Sequence, residues 1–150
     1  MKVRFADRED IPQTLKLYRH LNPDDKETTL EDALRNWVLL KRYPGSNILV
    51  GCLDAHIVST CTLVVIPNLT RGGAPYALIE NVVTDQAYRN RGYGKAVLKD
   101  ATDAAWQAGC YKVMLLTGSK DRAVLKFYHD AGFEQSKTGF QIRRLPPRAS

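Results

Sequence analysis

The sequence predicts a mixed α/β fold with elements in the order β-α-α-β-β-β-α-β-α-β-β. Three observations carry that reading. β-rich apolar runs alternate with segments whose apolar residues recur at helical spacing, and Gly, Pro or Asp punctuates the joins. A strand–loop–helix–strand unit from 76 to 118 implies a parallel pair joined by a right-handed crossover. No repeat or long linker divides the 150 residues, so a single domain, 1–150, with its own core is expected.

Each element has a local reason. "KVRFAD" (2–7) reads as the first strand. "REDIPQTLKLYRHL" places Ile11, Leu15, Tyr18 and Leu21 on one helical face, with Pro12 in the first turn. After the polar "NPDDKE", "TTLEDALRNWVLLKRY" is a second helix. Thr29 and Asp32 resemble a capping box there, and Leu30, Leu34 and Trp37 trace a face. "NILVGCLD" and "HIVSTCTLVVI" flank Asp54-Ala55 as a hairpin. "PNLTRGGAP" is a loop, "YALIENVVTD" (76–85) a strand, and "QAYRNRGYG" a second loop. A helix then runs from Gly92 to about residue 108, presenting Val97, Ala101 and Ala104, and Gly109 ends it. "YKVMLLTG" is a buried-type strand, and "DRAVLKFYHDAG" a short helix closed by Gly132. "FEQSK" and "FQIRRL" are the last strands, and "PPRAS" is a frayed tail.

Composition bounds the function. The chain is 44% hydrophobic and 25% charged, as in globular proteins. Apolar runs such as Leu63–Ile66 are too short to span a bilayer, and "KVRFAD" leads directly into a strand, so neither a membrane span nor a signal peptide is expected. Net charge is +6, from 22 Lys and Arg against 16 Asp and Glu. That excess suits solubility or an anionic ligand. No basic run of five and no zinc-finger or RNP pattern supports nucleic acid as a partner. Cys52, Cys61 and Cys110 have no C-x-x-C spacing, which fits a reducing cytoplasm, and Cys52 and Cys61, inside apolar strand-like runs, read as buried structural thiols. His20, His56 and His129 are scattered, so no metal site is expected.

The densest signal is "YRNRGYGKA" (88–96). Glycine admits positive φ and lets a ligand approach the backbone. The first amides of a helix lack internal partners and lie at the positive end of its dipole. A strand, R-x-x-G-x-G and a helix therefore form an anion cradle, to which Arg89 and Arg91 add charge-assisted bonds. The bland alternative is a glycine turn with solvated arginines. Neither nucleotide-binding pattern is complete. A P-loop requires G-x-x-x-x-G-K-[ST], and Val97 stands where a dinucleotide fingerprint needs its third glycine.

"ENVVTDQAYRNRGYGKAVL", "GCYKVMLL" and "FYHDAGF", in this order from about Tyr76 to Leu145, resemble the GNAT family of N-acetyltransferases. Arg89, Gly92 and Gly94 fill the family's loop positions. The resemblance implies a GNAT-type mixed sheet of about seven strands, splayed between the fourth and fifth, with a bulge in the fourth. It implies acetyl-CoA as cosubstrate. Its pyrophosphate would lie on the amides of Asn90, Arg91, Gly92, Tyr93, Gly94 and Lys95, and its pantetheine arm along Val82, Val83 and Thr84. The loop "TGSKDRA" departs from the family, since it lacks the Asn that many members carry there.

Acetyl transfer requires a neutral amine, although a free alkylamine has a pKa of about 10.4. It also requires a donor to the oxyanion and a proton for the leaving thiolate. Glu80, in an apolar strand before the expected bulge, is the candidate base, with a solvent-facing strand carboxylate as the alternative. Asn81 would orient substrate, and the amide of Val82 or Val83 would serve the oxyanion. By the family pattern Tyr128 is the candidate acid, with helix packing as its alternative. A closer echo, of the glucosamine-6-phosphate N-acetyltransferases, implies a homodimer in which Arg143 meets the acceptor's phosphate. The acceptor otherwise reads as a small-molecule amine. A non-catalytic CoA-binding or interaction module on the same fold is the alternative function.

Overall fold

The computed structural model describes residues 1–146; Pro147–Ser150, most of the expected "PPRAS" tail, lie outside the described residues. The chain forms two compact units, Met1–Leu115 and a second from Leu116 onward, each described by itself.

In the first unit five strands form one sheet in the order β1-β2-β3-β4-β5. They are β1 (Lys2–Phe5), β2 (Asn47–Leu53), β3 (His56–Ile66), β4 (Tyr76–Thr84) and β5 (Val113–Met114). The first four pair antiparallel, and β5 joins β4 in parallel. The β2–β3 hairpin turns on Asp54 and Ala55 as its sequence suggests, with Asp54 at φ 51°. Asp tolerates that left-handed conformation better than a β-branched residue would.

Three helices cover the sheet. α1 (Ile11–Leu21) buries Leu17 against Val50, Ile57 and Val83 on one face. α2 (Leu30–Leu40) lies beside α1 and begins where the Thr29 hydroxyl accepts from the Asp32 amide at 3.1 Å. α3 (Tyr93–Gln107) covers the opposite face with buried Val97, Leu98, Ala101 and Ala105. It sits so close that a Cβ on Gly51 would come within 3.1 Å of the Val97 side chain. Cys61 is fully buried, and burial pushes its thiol up to about 12, as expected of a structural cysteine.

Two expectations shift. The buried stripe of α1 is Ile11, Thr14 and Leu17, while Leu15 and Tyr18 are half-buried and Leu21 is exposed. Thr14 can occupy the stripe because its hydroxyl donates to the Asp10 carbonyl at 2.9 Å. Leu15 and Tyr18 line a cavity toward α2 instead. The sheet also has five strands, not about seven. The strand expected over 111–118 contracts to β5, and neither "FEQSK" nor "FQIRRL" forms a strand. Residues 134–146 are exposed throughout, with Phe140 and Ile142 more than 90% accessible. A period-2 pattern makes a strand only when a partner supplies the ladder, and an isolated hairpin is marginal. In the second unit, α4 (Arg122–Asp130) starts where Asp121 accepts from the Ala123 amide at 2.9 Å and closes on Gly132 at φ 94°.

β1 is tied to α1 by a pair that the sequence reading did not foresee. The Arg4 guanidinium donates to both oxygens of the buried Asp10 carboxylate, at 2.6 and 2.9 Å. Asp10 also accepts from the Asp7 amide at 2.8 Å. The Arg4 bond, opposed by desolvation, holds the Asp10 carboxyl below the usual carboxylate range. A depressed folded-state pKa contributes stability above the unfolded value of about 4, and that contribution is lost as pH falls through the folded value. We therefore expect Asp10→Asn to lower the unfolding free energy at pH 7 by about 2 kcal/mol, typical of hydrogen bonds to a charged group. The difference from the parent should narrow below about pH 4. Urea unfolding at pH 7 and pH 3 checks this, and a constant gap would show that the pair is not what Asp10 contributes.

Candidate active site

The fourth strand is regular as far as Glu80 and then breaks. Thr62 of β3 pairs with Glu80, but Thr60 pairs with Val83, so one residue of β3 faces two of β4, Asn81 and Val82. Asn81 takes φ 53° to make this bulge. Asn is among the few side chains that accept the left-handed region readily. The extra residue reverses the parity of the strand. Ile79 pairs with Leu63 and faces the α3 side, whereas Val83 joins the α1 cluster; in a regular strand the two would share a face. Glu80 is exposed and is set by its register on the same face as Thr62.

Beyond the bulge β4 has a strand partner on one edge only among the described residues. The Ser59 hydroxyl bonds Thr84 Oγ1 at 2.8 Å and the Val83 carbonyl at 3.3 Å, and the Asp85 amide donates to the Val58 carbonyl. On the other edge, pairing with β5 stops at Leu78 and Met114. The strands therefore part where the sequence places Val82, Val83 and Thr84. A peptide-like chain could hydrogen-bond to the edge left open.

The strand then delivers the chain to the start of α3. Asp85 accepts from the Ala87 amide at 2.9 Å and shapes a short 3-10 turn over Gln86–Tyr88. Asn90 at φ 61° and Gly92 at φ 81° bend the chain into the helix. The first ladder bond of α3 is from the Ala96 amide to the Gly92 carbonyl, so Tyr93, Gly94 and Lys95 precede the ladder. No side chain caps this end, and its first turn carries no acid. A Cβ built on Gly92 meets nothing within 4 Å, so the approach is open. Arg89 folds back to donate to the Thr84 carbonyl at 3.2 Å, and the Arg91 guanidinium lies 5.6 Å from the Tyr88 ring centre.

In the second unit Tyr128 is half-buried, edge-on to Phe127 at 5.0 Å and to Phe133 at 6.4 Å. Arg143 is exposed and donates to the Leu145 carbonyl at 3.2 Å. Among the described residues no group of three or more His, Cys, Asp and Glu could hold a metal, and no helix is long and apolar enough to cross a membrane.

Two side chains that the sequence reading gave no role stand beside the bulge. A cavity of about 210 Å³ opens between α1, α2 and the sheet, and Tyr18, Thr62 and Asn81 are among its lining residues. Burial pushes the Tyr18 phenol up, and its hydrogen bond with Thr62 pulls the other way. The only sequence signal for Thr62 was a hydroxyl inside the apolar run "HIVSTCTLVVI". A larger cavity, about 530 Å³, is lined by Lys16, His20, His56 and Asp85, with His20 Nε2 at 3.9 Å from Asp85. It includes neither the bulge residues nor the glycines ahead of α3, so size is a poor guide to the chemistry here.

Comparison with known proteins agrees with this architecture. The acetyltransferase (GNAT) family pattern matches residues 11–133. The chain is 33% identical over 135 residues to glucosamine 6-phosphate N-acetyltransferase of Trypanosoma brucei brucei, spanning 89% of this chain and 88% of that one. A solved protein of Agrobacterium tumefaciens str. C58 superposes with a TM-score of 0.89 at 49% identity, covering 96% of this chain and all of that one. A Trypanosoma brucei acetyltransferase structure does so at 0.80 and 30%, covering 95% and 98%. With a bulged and splayed fourth strand, an open glycine-led helix end and a family match over most of its length, the chain belongs to the GNAT family and is an acetyl-transferring enzyme.

Proposed function

We propose that the protein transfers the acetyl group of acetyl-CoA directly to the primary amine of a small molecule. The observation that carries this is the β4 bulge followed at once by the uncapped start of α3. An amide-rich arm can pair along the first, and an anionic group can rest on the second. The residues present fit such a ligand. Gly92 leaves its approach open, and Lys95, Arg89 and Arg91 bring positive charge to the loop.

Acetyl-CoA supplies a thioester, so one N–C bond is made and one C–S bond is broken. In this reading Glu80 takes a proton from the acceptor's ammonium group, directly or through water, and Asn81 orients the acceptor. The amide of Val82 or Val83 donates to the oxygen on which charge develops. Tyr128 returns a proton to the departing sulfur. The glucosamine 6-phosphate N-acetyltransferase relative makes a phosphorylated amino sugar the first acceptor to try. The +6 charge suits it, and the resemblance would give its phosphate to Arg143 of a homodimer.

Two substitutions test the roles. Glu80→Gln keeps shape and hydrogen bonding but cannot accept a proton. The variant should be slow at neutral pH and recover as pH climbs toward about 10, where solution itself supplies the neutral amine. A profile of kcat/KM against pH that superimposes on the parent's would remove Glu80 from the mechanism. Tyr128→Phe keeps the ring and deletes the hydroxyl. It should lower kcat by about 10² with little loss of stability. Steady-state release of free CoA measures this, and an unchanged kcat would leave Tyr128 a packing residue.

A further inference from the structure

The cavity beside Asn81 bears on which acceptor is used, given the reading above that transfer takes place at the bulge. We propose that it is the acceptor's specificity pocket and admits an uncharged, largely hydrocarbon group, so that any phosphate on the acceptor stays outside it.

The walls carry the argument. Ile11, Leu15, Ala33, Leu40 and Ile48 give it an apolar lining, with Trp37 at one side. No Lys, Arg, His, Asp or Glu is among its described lining residues. Several polar atoms in the wall are already engaged. The Trp37 indole donates to Asn47 Oδ1 at 3.0 Å, the Thr14 hydroxyl donates to the Asp10 carbonyl, and Tyr18 bonds Thr62. The neutral groups Thr28, Asn36 and Asn81 complete the lining and suit a hydroxyl or an ether. An ionised phosphate placed here would give up part of its water with no cationic side chain among the described lining residues to replace it, and the Lys41 ammonium nearby is taken up over the Trp37 ring, 3.7 Å from its centre. About 210 Å³ exceeds the roughly 150 Å³ that accepts benzene, so a six-membered ring with a short substituent fits. The location ties the pocket to the chemistry. Asn81 is the bulge residue, and Thr62, also in the wall, is the cross-strand neighbour of Glu80. A ring held here keeps an attached amine within the same face of β4 as the candidate base.

Two tryptophans make the test direct. Trp37 lines the pocket, and Trp106, half-exposed on α3 across the sheet, is an internal control. Titration with 2-phenylethanol should move the Trp37 indole N–H resonance and leave Trp106 in place. The same concentrations of 2-phenylethyl phosphate should move Trp37 at least tenfold less. Ala33→Phe, or Ala33→Leu where the larger ring prevents folding, should abolish the response. An equal response to the phosphate, no response, or an unchanged response in the filled variant overturns the proposal. Transfer to amines separates this from the function itself. Acetylation of 2-phenylethylamine whose KM rises at least tenfold in the filled variant, with the KM for acetyl-CoA unchanged, supports the pocket as the acceptor's. Efficient acetylation of glucosamine 6-phosphate that is indifferent to the filling overturns the pocket and keeps the acetyltransferase reading. Transfer to neither amine, with the Trp37 responses intact, defeats the small-amine reading and keeps the pocket's ligand class.

Discussion

One extra residue in β4 sets the layout of the site. Because Asn81 and Val82 together face a single residue of β3, the strand exchanges its faces between Ile79 and Val83. The same local irregularity thus anchors β4 to α3 before the bulge and to α1 after it. Its energetic requirement is modest, since Asn holds φ 53° with little strain and the neighbouring register is locked by Ser59, Thr60 and Thr84. A regular strand would set Ile79 and Val83 on one face and would offer no Asn81 to the α1–α2 cavity.

The second constraint is the junction between β4 and α3. The strand ends in Thr84, Asp85 caps a short turn, and two positive-φ residues redirect the chain into a helix whose first amides precede its ladder. An acidic or capping side chain at this end would fill the positive terminus from within. The sequence instead supplies Gly92, Tyr93, Gly94 and Lys95. Ten residues, 83–92, join the bulge to the start of α3, and the function proposed above has one anionic ligand with an amide arm use both.

Legibility in the sequence followed the range of the interactions. The β4–loop–α3 unit was readable because strand pattern, glycine spacing and helix start lie in one continuous stretch. So were the Asp54 hairpin and the Gly109 and Gly132 helix ends, which depend on local φ. The last two strands were misread because "FEQSK" and "FQIRRL" carry the alternation but find no ladder partner in their unit. The α1 stripe was misplaced because Thr14 is polar by type yet satisfied by its own helix. No site role was legible for Tyr18 and Thr62 because the cavity they share is assembled from five separate elements, α1, α2, β2, β3 and β4, and nothing local marks it. Arg4 and Asp10 were missed for the same reason: an ion pair between a half-exposed arginine and a buried carboxylate is a property of two segments brought together.

The central claim is that the bulge of β4 and the start of α3 form one ligand surface. Backbone amide resonances followed during a titration with acetyl-CoA test it most directly. The account predicts that the amides of Val82, Val83 and Thr84 and those of Asn90–Lys95 move together, along one saturation curve, while those of β1 and β2 stay in place. A titration that saturates without moving either stretch, or that moves the helix end alone, would contradict it.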